Sequence, residues 1–144
     1  MKKNNQKGFS LIELLVVVVI VGIIATLAIP FLRRALNASQ NSNIYASLRT
    51  SASTQLNFFT KNNRFARLDE LNNELGGSLG TSSGTDLVKG RFILTMTPNS
   101  NPTDAELRET YTIVATRQIV GGEVPYVATV DETGRVQDNL FSQY

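Results

Sequence analysis

From Leu14 to Leu32 the chain runs for 19 residues without a charged side chain. No other feature constrains the fold as much. An apolar stretch of about 20 residues can cross a bilayer as a helix, and only a helix or a closed barrel satisfies its backbone there. Yet Glu13 stands at its border. A carboxylate at the centre of a membrane helix costs ~2.5–3.5 kcal/mol on insertion scales, and less near the end. An anchor alone has no use for that charge. Glu13 is therefore a candidate functional residue whose partner has to be found. The bland alternatives are snorkelling into water or capping the N-terminus of its own helix.

Composition narrows the chemistry. The 144 residues contain neither cysteine nor histidine. That excludes disulfides, thiolate metal sites, and the commonest general base and transition-metal ligand. Net charge is +2, from 14 basic and 12 acidic residues. Three lysines, Lys2, Lys3 and Lys7, precede the apolar run, so the basic pI belongs to the leader and not to a nucleic-acid-binding surface. No Gly-Lys-Ser/Thr phosphate loop occurs. Asp69, Glu70, Glu74, Asp104, Glu106 and Glu109 alternate with arginines and read as solvated faces. Asp131, Glu132 and Asp138 match no calcium motif. No cofactor or metal is implied.

The start "MKKNNQKG" is basic and has no acidic residue. An ordinary secretory signal would be cleaved beyond the apolar part, near Ala25 to Ala28, and would discard Glu13 with it. The other boundary is Gly8–Phe9. Here "KGFSLIELLVVVVIVGIIATLAIP" resembles the prepilin signature of type IV pilins and type II secretion pseudopilins. The likeness is close over Lys7 to about Arg34 and weaker beyond. It implies that a membrane prepilin peptidase cuts after Gly8 and that the same enzyme N-methylates Phe9. It also implies that Glu13 pairs with the terminal amine of a neighbouring subunit during assembly. Physically, a carboxylate in an apolar filament core is costly unless paired. A cation at about 4 Å offsets ~4 kcal/mol at an effective dielectric of 20. Only a subunit in the right axial register would supply it, so the charge acts as a register device. Glu13 lies four residues past Phe9, one helical turn along the same face.

The expected architecture is α+β, the type IV pilin fold. A long helix runs from Phe9 to about Lys61, ~80 Å at 1.5 Å per residue. Gly22 and Pro30 weaken it and are its expected points of flexibility. The Thr26 hydroxyl is placed to help satisfy the backbone groups that Pro30 frees. Past Pro30, Ile44, Leu48, Ala52, Leu56 and Phe59 recur at three- or four-residue steps and predict a buried stripe, with Tyr45 beside it. A short helix is expected over Leu68 to Leu75, ended by Gly76. The Gly/Ser-rich stretch Gly76 to Gly90 reads as a surface loop. Arg91–Thr97, Thr110–Gln118 and Pro125–Asp131 alternate with period two, and Arg135–Gln137 follows a tight turn. They predict a small antiparallel sheet of three to four strands over the stripe. "TDAE" (Thr103 to Glu106) fits a capping box. The expected divisions are 1–8, a leader that is removed; 9–34, the transmembrane and assembly half of the helix; and 35–144, the globular head.

The resemblance implies a non-enzymatic structural subunit of a type IV pilus, a surface fibre for adhesion, twitching motility or DNA uptake. Its partners would be copies of itself in a helical filament, the peptidase and methyltransferase, an inner-membrane assembly platform, minor pilins and the inner membrane. No specific nucleic-acid partner is evident. The subunit would sit in the inner membrane with its head in the periplasm, then in the extracellular fibre. The alternatives are a type II secretion pseudopilin and, from another class, a monomeric anchored binding protein.

Overall fold

The computed structural model describes residues 8–97, 99–118 and 125–139. Its longest element is α1, Leu11–Asn62, of 52 residues. The chain forms two compact units, one through Ser39 and one from Gln40 onward.

Among its described residues the first unit has no interior. Its large apolar side chains, Leu11 to Leu36, are all more than 45% exposed. The helix runs unbroken through Gly22 and Pro30. The Thr26 hydroxyl donates to the carbonyl of Ile23 at 2.7 Å. It therefore closes back on its own turn and does not serve the Thr26 carbonyl, the group that Pro30 deprives of a donor. The leader expected at 1–8 lies outside the described residues except for Gly8.

The second unit contains the remaining elements. After α1 come α2 (Leu68–Glu74), β1 (Thr81–Ser83), β2 (Asp86–Lys89) and β3 (Phe92–Thr97). Then follow α3 (Glu106–Glu109), β4 (Thr112–Arg117), β5 (Val127–Asp131) and β6 (Val136–Asp138). The six strands form one antiparallel sheet in strictly sequential order. The architecture is α+β, as expected, but the sheet is larger than the three to four strands anticipated. The two extra strands, β1 and β2, lie in the stretch read as a loop. Gly84-Thr85 joins β1 to β2, and Gly90-Arg91 joins β2 to β3. The first residue of each pair has a positive φ, 67° at Gly84 and 61° at Gly90. That is the two-residue Gly-X hairpin turn, whose twist matches the strands it joins.

Period-two patterning carries the core. Phe92, Leu94 and Met96 of β3 are buried, as are Tyr111, Ile113 and Ala115 before and along β4 and Tyr126, Ala128 and Val130 before and along β5. The helix side is phased differently from the expected stripe. Ile44 and Leu48 are buried as anticipated, but Ser51 and Gln55 continue the buried line. Leu56 is 65% exposed, and Phe59 is only half-buried. Three steps of four residues from Ile44 rotate ~120° around a helix of 3.6 residues per turn. Leu56 has therefore drifted off the core face. Phe59 instead joins an aromatic run, with ring centroids 4.7 Å from Phe65, which is 4.6 Å from Tyr111.

Two polar side chains can occupy the buried line because each finds partners. The Ser51 hydroxyl donates to the carbonyl of Ser47 at 2.9 Å. Gln55 donates to the Ala66 carbonyl at 2.8 Å and accepts from the Ala66 N–H at 2.6 Å. A fully buried amide thus pins the chain where it reverses after α1. Beyond it, Arg64 holds Glu70 through two hydrogen bonds of 2.6 and 2.7 Å, and Glu70 accepts from the Arg67 N–H at the start of α2. The Thr103–Glu106 capping box forms, with Thr103 N–H donating to Glu106 Oε2 at 2.7 Å and Glu106 N–H to Thr103 Oγ1 at 3.3 Å.

Candidate assembly site at the helix N-terminus

Of the site candidates from the sequence, Gly8 and Phe9 lie just before α1, Glu13 lies in its first turn, and Gly22 and Pro30 lie within it. Regular helix begins at Leu11, and Leu14 N–H donates to the Ser10 carbonyl at 3.2 Å. Ser10 thus opens the helix. Its own N–H donates to Glu13 Oε2 at 2.9 Å. This is the backbone arm of an Ser-x-x-Glu capping box, in which the third helical residue reaches back to the cap. The carboxylate also sits where the helix dipole favours negative charge. Glu13 Oε1 has no hydrogen-bond partner among the described residues.

Ser10 is the residue the sequence reading missed. The pattern Ser10-Leu11-Ile12-Glu13 before an apolar run was the available signal. Phe9 also behaves differently from expectation. It lies before the helix and is 85% exposed, so α1 itself does not hold it on the face of Glu13. Gly8 is exposed, and a Cβ built there would meet nothing within 4 Å. Gly22 is equally unhindered inside the helix.

The unit can therefore do two things chemically. It offers a long apolar surface with no cover of its own, long and apolar enough to cross a membrane. At one end it offers a carboxylate with one oxygen held by its own backbone and one oxygen open to a cation.

Residues 3–29 match the family described as the prokaryotic N-terminal methylation motif. Over 107 residues the chain is 32% identical to a fimbrial protein of Moraxella nonliquefaciens, covering 72% of this chain and 61% of that one. The chain carries this motif and is similar to type IV pilins. It is also 36% identical over 72 residues to the type IV major pilin protein PilA of Myxococcus xanthus, across 50% of its own length and 31% of the relative's. It is 44% identical over 57 residues to the type IV major fimbrial protein FimA of Dichelobacter nodosus, across 38% and 36%. Its alignments span less than two thirds of the length of each of these relatives. No solved structure matches it significantly.

The three acids weighed as calcium ligands each accept a hydrogen bond within the head. Asp138 is buried and accepts from the Tyr126 hydroxyl at 2.8 Å. Asp131 accepts from the Thr133 N–H at 3.0 Å, and Glu132 from the Thr110 hydroxyl at 2.9 Å. Burial, with help from Asp138, raises the Tyr126 phenol well above its ordinary pKa, so it stays a donor at neutral pH.

Proposed function

We propose that this chain is a structural subunit of a type IV pilus, polymerised from the inner membrane into a surface fibre. One observation carries the reading: a helix half with no interior of its own ends at a carboxylate with an open oxygen. The membrane covers that half before assembly, and copies of the same helix cover it afterwards. The leader Met1–Gly8 is removed by a prepilin peptidase, and Phe9 is N-methylated. Among the described residues nothing contacts a Cβ built at Gly8, which supports reading the glycine as a requirement of the peptidase. The freed amine at Phe9 of an incoming subunit is the cation that takes the open oxygen of Glu13. Gly22 and Pro30 are the weak points at which the helix can adjust on leaving the bilayer. Lys2, Lys3 and Lys7 hold the leader in the cytoplasm, so the head faces the periplasm. Relatives named as fimbrial proteins and major pilins favour this reading over a secretion pseudopilin. The protein is a building block with no catalytic role.

Sheared-fibre yield from cells carrying Glu13→Ala tests the reading. The substitution makes the helix more apolar, so insertion proceeds. Processed subunit, beginning at methylated Phe9 by mass spectrometry, should accumulate in the inner membrane with little or no fibre. Normal fibre yield, or a mature N-terminus near Ile29, would defeat the proposal. Glu13→Gln separates charge from shape: if Coulomb pairing sets the register, it behaves nearly as badly as Ala.

A further inference from the structure

The head carries a second lone charge. Between the α1 face that bears Asn43, Ser47 and Thr50 and the loop Leu75–Leu79 lies an open groove of about 260 Å³. The Lys89 ammonium, at the end of β2, contacts two of the residues that line this groove. It donates to the Ser47 hydroxyl at 2.7 Å and to the Ser78 carbonyl at 2.9 Å. Both acceptors are neutral, and no described carboxylate lies within 4 Å of it. Burial lowers its pKa from the ordinary lysine value. A half-buried cation with two neutral contacts and an open groove beside it is prepared for an anion.

The exposed acids at the far end of the same head cannot reach it. The order of the sheet and helix gives the head two ends. At one, Arg117 reaches Asn41 at 3.1 Å and Lys89 pairs across the sheet with Phe92, which pairs with Arg117. At the other, Phe65 N–H donates to the Leu107 carbonyl at 2.8 Å, and Phe65 stacks near Tyr111. The Ser47–Asn62 stretch of helix separates the two ends by ~22 Å at 1.5 Å per residue. At the Phe65 end, Glu109 and Glu132 are exposed and make no ion pair among the described residues. Glu132 reaches Thr110, the residue after Glu109, so the two acids form one corner.

We propose that the Lys89 groove receives an acidic side chain from a second copy of this chain, supplied by the Glu109–Glu132 corner at the opposite end of the head. The inference rests on the fibre reading above. In a filament whose copies all point one way, contacts are heterologous, and one end of a head meets the other end of a neighbour. A cationic receptor at the Asn41 end and an acidic corner at the Phe65 end are complementary in that arrangement and cannot meet within one chain. The pairing would add a second register point to the one at Glu13, in the head and outside the apolar core.

Full-length chain in fibre-forming cells tests this. Lys89→Met keeps the aliphatic stem and should lower sheared-fibre yield roughly tenfold, with processed subunit at wild-type abundance. Lys89→Glu should lower it further, and adding Glu109→Lys or Glu132→Lys should restore it. Failure of both reversals overturns the inference. So do normal fibres from Lys89→Glu, the result expected if the groove serves a free anion such as inorganic phosphate; wild-type fibres then leave the pilus reading standing. Absence of fibres from wild-type cells overturns both. A measurement that keeps the charges guards against a folding defect. The chain has no cysteine, so Thr50→Cys on the groove rim and Arg108→Cys beside Glu109 can be joined by a short bismaleimide. Fibres carrying both should give a ladder of linked subunits on a denaturing gel, and those carrying either alone should not. No ladder from the double variant overturns the inference.

Discussion

The two halves of α1 are built on opposite logics. From Leu14 to Leu32 the helix is apolar on every side, and every large apolar side chain there is more than 45% exposed. From Gln40 to Asn62 it is mostly polar, yet Ile44, Leu48, Ser51 and Gln55 are buried. The apolar half has nothing of its own to pack on, whereas the polar half has a sheet. Hydrophobicity alone therefore says little about what a residue contributes to the subunit. What matters is whether the chain provides the other side of the contact. Under the fibre reading the first half keeps its stabilisation for partners, and the second realises it within the head.

Substitutions in the two halves should separate these roles. The largest effect is expected from Leu48→Ala, a fully buried residue under the sheet. It should cost ~2–5 kcal/mol in thermal unfolding of the detergent-solubilised subunit, followed by tyrosine fluorescence. Leu15→Ala, an identical change in the same helix, should shift that unfolding by less than ~0.5 kcal/mol. Equal losses at the two positions would break the comparison.

Gln55→Ala comes next. It leaves the Ala66 N–H and carbonyl unpaired in the interior, and each such group costs ~1–3 kcal/mol. A loss of ~2 kcal/mol or more is expected by the same unfolding measurement. A loss under ~0.5 kcal/mol would mean that the buried amide is not what pins the turn.

A smaller effect should appear on acidification. The Arg64 hydrogen bonds hold the Glu70 pKa below its ordinary value of 4.5, with the Arg67 N–H assisting and burial opposing. A carboxyl with a depressed folded-state pKa contributes stability that is present above the unfolded value. That stability is lost as pH falls from about 4.5 through the folded value. The pair is partly solvated, so the contribution is on the order of 1 kcal/mol or less. Glu70→Gln should therefore be less stable than wild type at neutral pH, and its stability should fall less steeply below pH 4.5. An unchanged pH slope would remove the ion pair from the list of stabilising contacts.

The smallest effect is expected at Leu56. At 65% exposure, its change to Ala should cost less than ~0.5 kcal/mol. A cost like that of Leu48 would restore the stripe anticipated from sequence.

That stripe marks the limit of what periodicity reveals. The central strands were legible because Phe92, Leu94 and Met96, and Tyr111, Ile113 and Ala115, alternate without interruption. The helix phase was not, because the buried line continues through Ser51 and Gln55, whose fitness for burial depends on Ala66 and on the backbone one turn back. The first hairpin was hidden for the opposite reason. Thr81-Ser82-Ser83 has no apolar residue to alternate, and β1 is held by its pairing with β2. Only the two Gly-X steps flanking Asp86–Lys89 pointed to it. At the helix N-terminus the prepilin signature directed attention to Gly8, Phe9 and Glu13. Ser10 was overlooked because its part is played by a backbone N–H, which every residue but proline possesses.

The strictly sequential sheet bears on how fast a head can form. Each strand pairs with the one before it, two of the connections are two-residue turns, and no strand waits for a distant segment to be inserted between neighbours. Such topologies have low contact order, and hairpins of this kind close on a scale of ~1–10 μs. With no cysteine to oxidise, acquisition of the fold has no slow covalent step. The head can therefore acquire its fold independently of any thiol-oxidising machinery.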